Sequence, residues 1–241
     1  KEGMQEVIRA IRAAKKILVV THTDPDGDAI GCLIAMYLAL KSLGKKIDMF
    51  CRESVPEIYK FLPNSNKVLS SFPGNKKYDL AIAVDCGDDR RIGDKANLKD
   101  IAKLIINIDH HPDNTKFGDI NIIEKISSVA EIIYKLFKLM RIKITKQIAE
   151  CLYVGIMTDT GNFRYDYTTA ESLGIARDLV ISGVSIGRIS MAIYEAKPFS
   201  TIKVLGAAMY RVERSDSGNV VWTLLPRQLM DSLGAKSEDL T

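Results

Sequence analysis

Histidine is scarce in this chain and cysteine is scattered, and each scarcity narrows the reading. Its four cysteines, Cys32, Cys51, Cys86 and Cys151, lie far apart and mostly inside apolar runs, with no Cys-x-x-Cys pair. That excludes a zinc ribbon and argues against a disulfide framework, leaving the pattern of reduced thiols in a cytoplasmic protein. No apolar run reaches the length of a bilayer span, so neither a transmembrane helix nor a membrane partner is expected. The polar start, Met4-Gln5-Glu6-Val7-Ile8-Arg9, does not read as a secretory signal. Repeats and low-complexity tracts are missing as well. Charge is nearly balanced, with 34 Lys and Arg against 30 Asp and Glu giving +4. Such an excess is too small for a whole-surface nucleic-acid binder, yet compatible with a nucleic-acid substrate. What is present is length: 241 residues, 46% of them hydrophobic, suffice for one large domain or a domain and a half.

Two periodicities alternate through the first two thirds. Residues 4–16 carry apolar side chains at helical spacing, 17–20 form a buried-strand run, and 28–43 form an apolar helix closed by Gly44. Residues 46–50, 80–84 and 104–108 read as further strands, with a short helix at 55–61 before Pro63. Ser128-x-x-Glu131 has the form of a capping box opening a helix to Met140. Another helix is expected over 145–157, and Thr168-x-x-Glu171 begins one that ends near Gly183. This alternation predicts an α/β fold, a parallel sheet flanked by helices on both faces. After about Tyr194 the pattern breaks at Lys197-Pro198-Phe199-Ser200. A helical stretch follows, then strand-like runs at 209–213 and 219–225 around the turn Ser215-Asp216-Ser217-Gly218, and a short helix over 226–233. The expected division is therefore 1–195 and 196–241, the second part being the start of a smaller α/β domain too short to bury its own core.

Open parallel sheets bind ligands beyond the carboxyl ends of their strands. At that edge the first strand runs into His22-Thr23-Asp24-Pro25-Asp26-Gly27-Asp28, the third into Asp85-Cys86-Gly87-Asp88, and the fourth into Asp109-His110-His111. All three histidines of the chain fall in two of these clusters. A further candidate, Thr158-Asp159-Thr160-Gly161-Asn162, follows the apolar run 152–157. Taken singly, each cluster has an ordinary explanation: Asp-Gly and Pro-Asp are turn residues, Asp28 can cap a helix, and Cys86 can be a small packed hydrophobe. Together, like charges gathered at one edge repel unless a cation holds them. Carboxylates with imidazoles suit Mn, Mg, Fe or Zn, and the inventory is large enough for two metals sharing a bridging carboxylate.

In their order these residues resemble the DHH-family phosphoesterases, named for the triplet seen here as Asp109-His110-His111. His22-x-x-Pro25-Asp26-x-Asp28-Ala29 looks like the family's first motif, Val84-Asp85 like the second, and Thr158-Asp159-Thr160 like the fourth. The stretch from Gly155 to Tyr165 is similar to the oligoribonuclease and pAp-phosphatase branch, with RecJ nucleases and family II pyrophosphatases as more distant relatives. The resemblance implies two Mn²⁺ ions, or Mg²⁺ or another divalent ion. One would be held by His22, Asp26 and Asp85, the other by Asp28, Asp85, His110 and Asp159, with Asp85 bridging. It gives Asp109 the task of orienting an imidazole and has His111 face the scissile phosphate. Arg91 and Arg164 are candidates for phosphate contacts, or else solvated surface charges.

The implied chemistry is in-line attack on phosphorus by a metal-activated hydroxide, needing no serine or cysteine nucleophile. An exonuclease of this kind releases 5′-mononucleotides from short oligonucleotides or linear dinucleotides such as pApA, and AMP plus phosphate from pAp. A pyrophosphatase or polyphosphatase on the same metals, and a nucleotide-binding module without turnover, are the rival readings. One departure stands out: the family's substrate domain carries a glycine-rich motif ending in Gly-Gly-His, whereas no Gly-Gly pair follows Phe199 and no histidine follows His111. The expectation is a chain that stops within that domain. Amphipathic helices such as 185–194 would suit a homodimer as well as a core.

Overall fold

Short aliphatic runs, too brief for helices and rich in β-branched residues, build the sheet. The computed structural model describes residues 2–93 and 97–235. The chain divides into two compact units, Lys1–Ile189 and Ser190–Thr241.

In the first unit, helix α1 (Glu2–Ala13) precedes strand β1 (Lys16–Val20), helix α2 (Gly27–Ser42) and strand β2 (Lys46–Phe50). Strands β3 (Val68–Leu69), β4 (Leu80–Val84), β5 (Ile105–Asp109) and β6 (Ile120–Ile123) follow, then helices α3 (Val129–Met140), α4 (Lys146–Asp159) and α5 (Ala170–Ile181). Among the described residues these strands form one six-stranded sheet in the order β3-β2-β1-β4-β5-β6, parallel throughout. The α/β fold with helices flanking a parallel sheet is thus the one expected. Edge strands β3 and β6 escape the sequence pattern because β3 has two residues and β6 is only half-buried.

Strand alternation sorts the core into two layers. Leu18, Val20, Ala81, Ala83 and Ile105 share one buried cluster with Tyr78, Ile92, Leu98 and Ile101, which lie outside the strands. Connecting segments, including 3₁₀ turns at Asp89–Ile92 and Leu98–Asp100, therefore contribute to that layer. Helix α2 packs on β1, β2 and β4, α3 on β5, and α4 against α2. The α2–α4 approach depends on glycine: a Cβ on Gly31 would lie 2.4 Å from the Cys151 carbonyl oxygen, and one on Gly155 would lie 2.4 Å from Asp28 Oδ1.

Several local expectations need correction. Residues 55–61 hold only a 3₁₀ turn at Glu57–Tyr59. Ser128 is the N-cap residue of α3, but its side chain makes no capping bond, because a carboxylate from α2 takes the first amides of the helix. Glu131 instead binds Ser127 Oγ and Ser172 Oγ in the interior. Thr169, not Thr168, caps α5, in a reciprocal box with Ser172. After α6 (Ile186–Ser190) and a π-helical turn, helix α7 (Phe199–Tyr210) absorbs the beginning of the expected strand at 209–213. The hairpin of the second unit is short, β7 (Glu213–Arg214) against β8 (Val221–Trp222), and helix α8 (Arg227–Ser232) follows. Within this unit Thr223 Oγ1 donates to the Ala208 carbonyl and Arg211 Nε to the Leu224 carbonyl, tying hairpin to helix. Of the predicted second domain, residues 236–241 lie outside the described residues.

Candidate metal centre

The carboxyl ends of β1, β4 and β5 are adjacent because those strands are adjacent, and each delivers polar side chains to the same edge. His22 follows β1, with its Nδ1 2.5 Å from the Thr23 carbonyl oxygen. A carbonyl can only accept, so Nδ1 carries a proton there, and Nε2 is turned toward Asp85 Oδ2 at 3.5 Å. Asp26 is the N-cap of α2 and accepts the Ala29 N–H at 3.0 Å. Asp28 sits in the first turn of α2, fully buried. Its two oxygens accept the N–H groups of Val129 at 2.6 Å and Ala130 at 3.0 Å, and Cys32 Sγ donates to Oδ1.

Asp85 follows β4 directly, in a left-handed conformation, φ 53°, unusual for a residue other than glycine and costly unless the surroundings enforce it. Its Oδ1 is buried and has no hydrogen-bond partner among the described residues. His110 Nδ1 lies 3.1 Å from the Ile126 carbonyl oxygen, which turns Nε2 toward Asp85 Oδ1 at 3.6 Å and Asp159 Oδ2 at 3.5 Å. Asp159 is the last residue of α4, where the helix dipole disfavours an anion. His111 Nδ1 is 2.8 Å from Asp109 Oδ1 and 3.7 Å from Asp85 Oδ1.

Charge crowding is the defining electrostatic property. Burial and the charges of Asp85 and Asp26 hold Asp28 well above the usual carboxylate range. Burial, with Asp28 and Asp85 beside it, pushes Asp159 strongly upward. Desolvation and Asp85 also raise Asp26. Burial alone would lower His22, but its hydrogen bond and attraction to Asp85 leave it raised. The hydrogen bond to Asp109 lifts His111 to about 9. Burial works against ionising Asp109, but donors from His111 and Asn114 outweigh it and lower the value.

Donor atoms fall into three overlapping groups among the described residues, each with all its atoms within 4.8 Å of one another: His22, Asp26 and Asp85; Asp28, His110 and Asp159; Asp85, His110 and His111. An orphaned Asp85 oxygen amid carboxylates that resist ionising together is the environment a divalent cation relieves, and oxygen with imidazole donors suits a hard or borderline ion. The residues fit such a group.

The arginines divide. Arg91 Nη2 lies 3.3 Å from His22 Nδ1, and the Arg91 carbonyl accepts the Thr23 N–H at 2.7 Å, so Arg91 belongs to the cluster's rim. Arg164 is exposed and donates from Nε to the Gly161 carbonyl at 2.7 Å, in the loop following Asp159. Cys86 is buried, its thiol donates to the Asp88 carbonyl, and burial pushes it up to about 12, as suits a packed side chain. Sequence reasoning missed Asn114, whose amide donates to Asp109 Oδ2 at 2.6 Å and Asn107 Oδ1 at 2.8 Å. The available signal was Asn107 itself, a polar residue inside an apolar strand, with its own amide bonded to the Cys86 carbonyl.

Residues 16–156 match the model of the DHH family, N-terminal domain. The chain belongs to the DHH family. It is 31% identical over 222 residues to the bifunctional oligoribonuclease and PAP phosphatase NrnA of Thermus thermophilus, covering 92% of this chain and 66% of that protein. To the protein of the same name from Bacillus subtilis it is 30% identical over 219 residues, covering 88% and 67% respectively. The chain thus spans about two thirds of the length of these DHH relatives. An exopolyphosphatase-related protein from Bacteroides fragilis superposes with a TM-score of 0.93 at 26% identity, over 99% of this chain and 73% of that one. Among the described residues no helix is long and apolar enough to cross a membrane.

Proposed function

We propose that this DHH protein is a divalent-metal-dependent phosphodiesterase. It would cleave short oligonucleotides or linear dinucleotides to 5′-mononucleotides, and pAp to AMP and phosphate. The observation that carries the reading is Asp85, whose buried carboxylate lies between imidazoles contributed by two different strand ends, Oδ2 facing His22 and the unpartnered Oδ1 facing His110. Asp85 would bridge two ions, with His22 and Asp26 on one side and Asp28, His110 and Asp159 on the other. Mn²⁺ is the ion assigned here. Two such ions, when bound, supply hydroxide near neutral pH and screen the charge spreading over the phosphoryl oxygens.

The chain's own side chains do the rest. Thr23 and Ile126 carbonyls fix the two ligand imidazoles with Nε2 presented inward. Asp109, itself held by Asn114, orients His111 and favours its protonated form, so that it can attract a phosphate or hand a proton to the leaving oxygen. Arg91 at the rim would pair with a non-bridging phosphate oxygen. Water's oxygen bonds to phosphorus, the bond from phosphorus to the 3′ oxygen breaks, and that oxygen leaves with a proton. We assign the metal chemistry to residues 1–195 and a share of substrate binding to 196–241.

The name shared by the two curated relatives supports this substrate class. The test is hydrolysis of pApA, pAp and pyrophosphate by the Mn²⁺-loaded protein. Release of AMP from pApA is expected; turnover of pyrophosphate alone would overturn the reading, and nucleotide binding without any turnover would mark a non-catalytic module.

A further inference from the structure

The loop that follows Asp159 is built at some cost. Gly161, Asn162 and Phe163 are three consecutive left-handed residues, with φ of 56°, 61° and 62°. For phenylalanine that conformation is an outlier worth about 1–3 kcal/mol of strain, which persists only where the surroundings over-determine it. Here they do. Asn162 N–H donates to the Met157 carbonyl, Phe163 N–H to Thr160 Oγ1, and the N–H groups of Arg164 and Tyr165 both to the Thr160 carbonyl. The Phe163 ring turns down beside buried Tyr153, their centroids 5.9 Å apart.

This turn displays two aromatic rings outward. Tyr165 and Tyr167 are 49% and 54% exposed, and their centroids stand 5.5 Å apart at 48°. Tyr165 is seated directly over Gly161, where a Cβ would come within 2.4 Å of the ring. Tyr167 Oη donates to the Asp159 backbone carbonyl at 2.9 Å, which ties its ring to the backbone of a candidate metal ligand. Arg164, Tyr165, Asp166 and Tyr167 line an open cavity of about 420 Å³. Rings held rigidly in water beside a phosphate-cleaving cluster, with a guanidinium at the edge, have the chemistry of a stacking surface for a base.

We propose that Tyr165 and Tyr167 form a platform on which the base of a bound nucleotide stacks, so that the site selects nucleotides over base-free phosphates. The proposal rests on the phosphodiesterase reading for its substrate and adds which residues choose it. Stacking on an aromatic side chain is worth about 1–3 kcal/mol per base, equivalent to about 5- to 150-fold in binding.

The experiment compares wild type, Tyr165→Leu, Tyr165→Phe and Tyr167→Leu on pApA and on an analogue whose terminal base is replaced by hydrogen. The leucine variants should raise KM for pApA by at least fivefold with kcat little changed, and leave KM for the abasic analogue unmoved. Tyr165→Phe should restore the wild-type KM. In parallel, a dinucleotide carrying 2-aminopurine should lose fluorescence on binding to wild type and lose much less with the leucine variants. This readout needs no turnover, so it tests the platform even if no phosphodiester is cleaved. Unchanged KM and unchanged quenching in Tyr165→Leu, or equal losses on both substrates, would overturn the platform. Failure of wild type to hydrolyse either substrate, with quenching intact, would overturn the phosphodiesterase reading alone. Matching circular dichroism and Tm establish that the variants are folded.

Discussion

Asp28 on α2 accepts the backbone N–H of Val129, the first residue of α3, at 2.6 Å, although 101 positions separate them in sequence. A candidate metal ligand therefore also caps a helix, with Ala130 N–H as its second donor. Truncating it strands two buried amides, each costing about 1–3 kcal/mol. Asp28→Ala should lower unfolding free energy by about 2–6 kcal/mol in urea titrations even without metal. Asp26→Asn should stay near wild type in the same titration, since asparagine caps α2 as well as aspartate does.

Cation binding should appear as stability. At one hundred times its dissociation constant a ligand adds about 2.7 kcal/mol, visible as a higher Tm on adding Mn²⁺ and its reversal by chelator. Asp85→Asn should abolish that rise while folding normally, because asparagine tolerates the left-handed backbone at this position. A Mn²⁺-dependent rise in that variant equal to wild type would remove Asp85 from the ligand set.

Glycine at the α2–α4 contact gives a third test. Gly31→Ala puts a methyl group against the Cys151 carbonyl, which as backbone cannot turn aside. A loss of about 1–3 kcal/mol in denaturation is expected from such overpacking. Gly155→Ala pushes instead on Asp28 Oδ1, so its Mn²⁺-induced rise in Tm should shrink as well.

The site was legible in sequence largely because parallel strands carry their carboxyl ends to one edge; His22, Asp85 and His110 needed only correctly placed strands. Strands β1, β4 and β5 were legible as largely apolar runs, whereas β2 mixes Lys46 and Asp48 with its apolar residues. What the sequence hid was long-range competition. Ser128-x-x-Glu131 satisfies the local rule for a capping box, yet Asp28 reaches the amides first and Glu131 is drawn to Ser127 and Ser172. Asn114 and Tyr167 act through single hydrogen bonds to Asp109 and the Asp159 carbonyl, and no spacing rule announces either.

Acid sensitivity should arise far from the metal centre. Lys103, with the N–H groups of Lys16 and Lys15, holds Asp79 down to about 2. Its folded value lies below the ordinary carboxylate value of about 3.9, so the stabilisation is complete above that value. It fades as pH falls toward 2. Asp79→Asn should be less stable than wild type at neutral pH, with the gap closing between pH 4 and 2 in thermal melts.

Strand order has a kinetic consequence. β1 pairs with β4 through Ile17 and Leu80, more than sixty positions apart, and only this pairing brings His22 beside Asp85. Closing so long a loop is a slow step, whereas β1 and β2 can pair through the shorter α2 connection. The complete cation site exists only once the centre of the sheet has zipped, so an ion captured there arrives after the folding barrier and lengthens the lifetime of the native state without hastening its formation.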